Sequence, residues 1–274
     1  MTAVSAQHAT DAETDLVTRT EDGPVTILTL NRPDAMNALS SAVLVQLQGH
    51  FDAIANDGTR ALIIRGAGRG FCAGHDLNEM ISHRDDEDRG RAFYDELLSA
   101  CAKMMVTIRD LPVTVIAQVH GIATAAGCQL VAACDMAMAS DVARFGVNGI
   151  NAGLFCSTPM VALSRNISRK AAMEMLVLGE IIDAERACGL GLVNHVVAPE
   201  DLEDTTMAMA KRAASKSRAV VALGKKAFYA QLEMDLVDAY AYTSKVIVDN
   251  MMMRDAEIGI NAFFSKSSPE WEDR

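Results

Sequence analysis

Apolar residues recur along this chain with two different spacings. Val25-Thr26-Ile27-Leu28-Thr29-Leu30 alternates β-branched and other apolar residues up to the Asn31-Arg32-Pro33 break, the pattern of a strand feeding a loop. Over residues 40–55 the spacing lengthens, so that Leu44, Leu47, Phe51 and Ile54 share one face of a predicted helix. Asp57-Gly58 closes that helix, and Ala61-Leu62-Ile63-Ile64 predicts a short buried strand. A turn rich in small residues follows, Arg69-Gly70-Phe71-Cys72-Ala73-Gly74-His75-Asp76-Leu77, with Asp76 placed to cap the next helix. A charged segment over 83–91 loops out, a second helix runs to about Arg109, and Pro112 opens a strand over 113–119. A second small-residue turn, Val119-His120-Gly121-Ile122-Ala123-Thr124-Ala125-Ala126-Gly127-Cys128-Gln129-Leu130, leads into a helix over 127–134 and a strand over 136–139.

Strand, loop and helix thus recur in order, which predicts an α/β fold with ligands at the strand-to-helix turns. From Thr158-Pro159 onward the pattern is mostly helical, because Thr at an N-cap with Pro at the first helical position is a start signal. Leu236, Tyr240, Ile247 and Met251 mark one face of a long C-terminal helix, its methionines read chiefly as core with subunit contact as an additional role. The expected division is a disordered leader over 1–16, a core over 17–200 and a helical oligomerisation region over 201–274.

A chain of 274 residues can bury a full core as one large domain with a helical appendage. Its net charge of −11 disfavours a sequence-independent grip on nucleic acid. No apolar run reaches the roughly 18 residues that a membrane span needs. The six cysteines lack CxxC or Cys/His ligand spacing and read as reduced core residues, and no metal site is expected. Residues 1–16 hold Asp11, Glu13 and Asp15 but no arginine or lysine, which fits neither a signal nor a transit peptide and implies a cytoplasmic protein.

The two small-residue turns carry the chemistry. Each lies where a strand ends and a helix begins, the place where unpaired backbone N–H groups can face an anion. Two such ends facing one another would grip a developing oxyanion. At these residues the chain closely resembles the enoyl-CoA hydratase/isomerase, or crotonase, family. The resemblance runs from about Val25 to Trp271 and includes Leu30-Asn31-Arg32-Pro33, Asn37-Ala38-Leu39, both turns, Gly179-Glu180-Ile181-Ile182-Asp183-Ala184 and Gly191-Leu192-Val193-Asn194-His195-Val196-Val197.

That resemblance implies a spiral of ββα units with a helical C-terminal region that builds trimers, or dimers of trimers. It implies an acyl-CoA ligand and lyase-type enoyl-CoA hydratase chemistry in fatty acyl-CoA metabolism, with coenzyme A present as part of the thioester and no separate cofactor. By position, the oxyanion donors are the backbone N–H groups of His75 and Ala126. Met36, Ala38, Ala73, Gly74, Asp76 and Leu77 match the surface for CoA, Gly127, Gln129, Gly149 and Ser157 the acyl site, and Phe263 with Lys266 a C-terminal contact to the CoA end.

The family's hydratases use two glutamates as acid and base, and here those positions hold Gln129 and Gly149. A glutamine amide neither takes nor gives a proton near neutral pH. Other members place an acid or base eight residues beyond the second position, at Ser157, read here as a local hydrogen-bonding residue. The His75 imidazole is open to an outward position, a CoA contact or acid–base work. His120 reads as packing, Cys128 as an unreactive thiol, and Asp135, Asp141, Glu174 and Glu185 as surface or helix-end groups. The readings left open are hydratase, another thioester-enolate reaction such as isomerisation, decarboxylation or hydrolysis, and a non-catalytic acyl-CoA-binding protein.

Overall fold

The computed structural model describes residues 15–274; the expected leader falls almost wholly on residues outside the described ones. The chain begins with the antiparallel pair β1 (Val17–Asp22) and β2 (Val25–Leu30), then α1 (Ser41–Ile54), whose N-cap Ser40 accepts from the Val43 N–H. Three similar turns follow. The first is β3 (Ala61–Gly66), β4 (Gly70–Cys72), α2 (Leu77–Ser82) and α3 (Arg91–Asp110). The second is β5 (Thr114–Val119), β6 (Ile122–Thr124) and α4 (Ala126–Ala133); the third is β7 (Met136–Ser140), β8 (Arg144–Gly146), α5 (Pro159–Asn166) and α6 (Arg169–Leu178). After β9 (Ile182–Asp183), α7 (Ala184–Leu190) and β10 (His195–Val197), the rest is helical: α8 (Leu202–Ala214), α9 (Arg218–Gln231), α10 (Leu236–Met251) and α11 (Arg254–Ser265).

In each turn the two strands join different sheets. The larger sheet has the order β1-β2-β3-β5-β7-β10 and the smaller β4-β6-β8-β9, so the expected spiral of ββα units is present. The larger sheet is parallel from β2 to β10 and covered on both faces, which is why its strands read as continuous apolar runs. Leu62 and Ile64 face a cluster with Leu47, Phe51, Met104 and Ile108 of α1 and α3, whereas Ala61 and Ile63 pack with Ala210 and Ala214 of α8.

Several expectations need correction. The smaller sheet is not predicted from the sequence, since strands of two or three residues are too short to show a period, and neither is β1, whose six residues are polar after Val17 and give no apolar alternation. Helix α5 starts at Pro159 as predicted, yet the Thr158 side chain makes no capping bond. Helix α10 buries none of its residues: Leu236, Tyr240, Ile247 and Met251 all lie exposed, because α10 rests on α9 and α11 and not on the sheets. Its methionine face is therefore not core in this chain.

Asp135 is not a surface group either. Its Oδ2 lies 2.7 Å from Lys225 Nζ and accepts the Val115 N–H, and its Oδ1 accepts the Tyr229 hydroxyl at 2.8 Å. Lys225 also donates to the carbonyls of Ile108 and Val113, each at 2.9 Å, so this pair fastens α9 to the end of α3 and to β5. Breaking a buried pair on one side costs about 3–5 kcal/mol through the charge left behind. Lys225→Met is expected to lower stability by that amount in urea unfolding, and an unchanged midpoint would show that the pair does not anchor the helix.

Candidate active site

The smaller sheet brings the two small-residue turns together. β4 and β6 run parallel, with Gly70 opposite Ile122 and Cys72 opposite Ala123. They approach so closely at both ends that a Cβ on Gly127, past their exits, would overlap the Cys72 carbonyl, and one on Gly121, at their entries, the Arg69 carbonyl. Thr124 Oγ1 donates to Ala73 O at 3.1 Å, and His120 Nε2 donates to Gly68 O at 2.9 Å, so His120 ties one turn to the other. Gly74 adopts φ +102°, and the place its Cβ would occupy is 3.4 Å from the Ala126 nitrogen. The residues expected to carry the two donors are thereby neighbours.

Local pairing leaves both N–H groups available. His75 bridges Leu39 in parallel fashion, but the bonds run from Leu39 N–H to Gly74 O and from Asp76 N–H to Leu39 O, so the His75 N–H points away from Leu39. Ala126 is the first residue of α4, where an N–H has no acceptor within the helix. The positive φ in this turn belongs to Ala125, at φ 49° and ψ −118°, whose N–H is held by Gly146 O. Alanine at 126 therefore needs no left-handed conformation, and the strained position is the residue before it.

The loop over 33–39 is knotted against the first turn. Asn37, buried and at φ 56°, accepts the Arg32 N–H and donates to Ala67 O and Gly70 O, both at 2.8 Å. Met36 O accepts the Ala73 N–H, and Ala38 is buried beside them. The Asp76 carboxylate caps α2 through the N–H groups of Asn78 and Glu79 and pairs with Arg32 Nη2 at 2.9 Å. Leu77 stands exposed next to it. The knotting role of Asn37 went unrecognised in the sequence, although Asn is among the few residues that tolerate left-handed backbone.

Two side chains at this site hold unpaired polar atoms. His75 Nδ1 is 3.4 Å from Leu39 O; a carbonyl only accepts, so Nδ1 carries the proton and Nε2 presents a lone pair, which is buried without a partner. Burial pulls the imidazole below its ordinary pKa against the opposing pull of the Leu39 carbonyl and Glu79, which keeps it neutral near pH 7. Gln129, on the first turn of α4, is buried with its Oε1 unpartnered. Burial also pushes the Cys128 thiol up to about 12, so it stays protonated and unreactive.

The remaining candidates are differently placed. Gly149 lies in a short turn where a Cβ would stand 2.6 Å from Leu154 O and 2.9 Å from Cys156 Sγ, so no side chain fits unless 153–156 moves. Ser157 is exposed and its hydroxyl donates to Phe155 O at 3.2 Å. Phe263 and Lys266 are exposed on α11 and at its end, and no hydrogen bond or ion pair among the described residues joins them to the two turns.

Comparison with known proteins fits this geometry. Residues 20–274 match the family model described as enoyl-CoA hydratase/isomerase. The chain is 48% identical to the human protein named enoyl-CoA hydratase domain-containing protein 3, mitochondrial, over 89% of its own length and 79% of the relative's. Solved structures agree: an enoyl-CoA hydratase of Mycobacterium smegmatis superposes with TM-score 0.89 at 52% identity, covering 93% of this chain and 98% of that one. Human enoyl-CoA hydratase domain-containing protein 3 superposes with TM-score 0.88 at 45% identity, covering 93% and 99%. The human, mouse and rat relatives are named as mitochondrial, which overturns the cytoplasmic expectation; the charge of the first sixteen residues is a poor guide to compartment. On this match, the chain belongs to the enoyl-CoA hydratase/isomerase family.

Proposed function

We propose that the protein binds acyl-CoA thioesters and seats the thioester oxygen between the N–H groups of His75 and Ala126. The observation that carries this reading is the adjacency of the two available donors where β4 and β6 end. Loss of an α-proton, or attack on the carbonyl, places negative charge on that oxygen, and preorganised donors at a helix start favour that charge. In this reading Met36, Ala38, Ala73, Gly74, Asp76 and Leu77 form the CoA surface, with the Asp76 carboxylate already engaged in holding the loop. Gly127, Gln129, Gly149 and Ser157 border the acyl group, and Phe263 with Lys266 reach the CoA end. Coenzyme A enters as part of the substrate.

The reaction is a thioester-enolate reaction other than two-glutamate hydration. Gln129 supplies no proton, and the tight backbone at Gly149 leaves no room for a carboxylate. The same closure favours a second reading, a non-catalytic acyl-CoA-binding protein. We also propose that the exposed apolar face of α10 is covered by further copies, giving a homotrimer or a dimer of trimers, and that the helical residues from 201 onward act chiefly in that assembly.

Calorimetry with acyl-CoAs of several chain lengths is expected to show saturable binding; no affinity for any of them up to millimolar concentration would refute the site. Crotonyl-CoA hydration should fall below that of a two-glutamate relative by about 10²- to 10⁴-fold for each missing group, and rapid hydration would demand a base not identified among these residues. Ala126→Pro removes one donor at a first helical position that accepts proline, so any thioester turnover should drop by about 10²- to 10³-fold. Full activity in a folded Ala126→Pro protein would place the oxyanion site elsewhere. Tyr240→Asp with Leu236→Asp should lower the mass seen by light scattering, and an unchanged mass would remove α10 from the interface.

A further inference from the structure

Helix α11 has little packing of its own. It buries only Asp255 and Ala262 and rests chiefly on α10, which itself buries nothing. The last eight residues, 267–274, leave α11 without forming a further helix and return along it to the body of the molecule.

This return has three anchors. At the first turn of α11, the Asp255 carboxylate accepts the N–H groups of Glu272 and Asp273 at 2.7 and 3.0 Å, and the Asp255 N–H donates to Arg274 O at 3.0 Å. Asp255 is 1% exposed, and a carboxylate so buried depends on donors of this kind. Between the ends, Trp271 lies over Gly259 of α11, where a Cβ would stand 3.2 Å from the indole ring. Its Nε1 donates to Ser215 O, between α8 and α9, at 2.8 Å. At the body, Asp273 Oδ2 is 2.5 Å from Arg60 Nη1, and Asp273 Oδ1 accepts the Arg218 N–H at 2.7 Å. Both arginines are fixed in turn: Arg60 donates to the carbonyls of Ala214 and Lys216, and Arg218 to those that end α1. The return therefore joins α11 to the α8–α9 junction and to the residue that opens β3.

α11, like α10, exposes large apolar side chains, among them Ile260, Phe263 and Phe264. A helix held in place before association loses less conformational freedom when its surface is covered. Resting on the assembly reading above, we infer that residues 271–274 form a strap that holds α11 in the arrangement assembly requires. Releasing the strap dissociates the copies while each keeps its folded core.

The test compares the full chain with two variants. Trp271→Ala with Asp273→Ala cuts the strap, and Gly259→Leu crowds Trp271 off α11 without touching the strap itself. Hydrogen exchange read by mass spectrometry should show α11 amides exchanging about tenfold or more faster in both, with β3 and α4 at the wild-type rate. Light scattering should show the mass falling toward that of one chain at concentrations where the wild type is assembled. A merely structural role would speed exchange in the core as well and leave the folded fraction assembled, which overturns the inference. Unchanged α11 exchange in both variants overturns the strap, and faster α11 exchange with unchanged mass overturns its part in assembly. A wild type that stays a single chain overturns the assembly reading and this inference with it. Should one variant fail to fold, the other decides.

Discussion

β4 and β6 lie so close at their ends that the Cys72 carbonyl occupies the space any side chain at 127 would need. That approach is the constraint from which the site follows. It requires glycine at 121 and 127 and sets Gly74, the residue before His75, against the Ala126 nitrogen at the start of α4. The large sheet contributes rigidity: its parallel strands, covered by α1 and α3 on one face and α8 on the other, deliver each short strand to the smaller sheet at a fixed height. The strained turn at Ala125 is the cost of starting α4 directly from β6, and it is held by the bond from its N–H to Gly146 O.

Electrostatics at the site differ from those of a paired-carboxylate enzyme. Positions 129 and 149 hold a buried amide and a closed glycine turn, and the His75 imidazole is neutral and bonded to the Leu39 carbonyl. The N–H groups proposed as oxyanion donors belong to the backbone, so they persist through side-chain replacement. Under the proposed reading, Gln129 and Gly149 would leave that backbone grip in place while supplying no acid.

Much of this was legible in the sequence because strong periodicity and special backbone coincide. Leu44, Leu47, Phe51 and Ile54 are all buried on α1 as their spacing predicts, and the run over 61–64 is a strand hidden on both faces. The two small-residue turns were legible since only small residues allow such an approach. The smaller sheet was not, because strands as short as Gly70–Cys72 carry no period and owe their pairing to the larger sheet. Asp135 looked like a surface carboxylate because its partner, Lys225, is ninety residues away along the chain. The exposed face of α10 looked like core because an apolar stripe does not say which surface will cover it.

A thioester oxygen seated as proposed receives two backbone hydrogen bonds, and its own carbonyl reports them. Infrared difference spectroscopy of a saturated complex with acyl-CoA labelled with ¹³C at the thioester carbonyl measures the polarisation directly. The C=O stretch is expected at lower frequency than in free acyl-CoA, with the displacement largely lost in folded Ala126→Pro. An unshifted stretch in the saturated wild-type complex would contradict it.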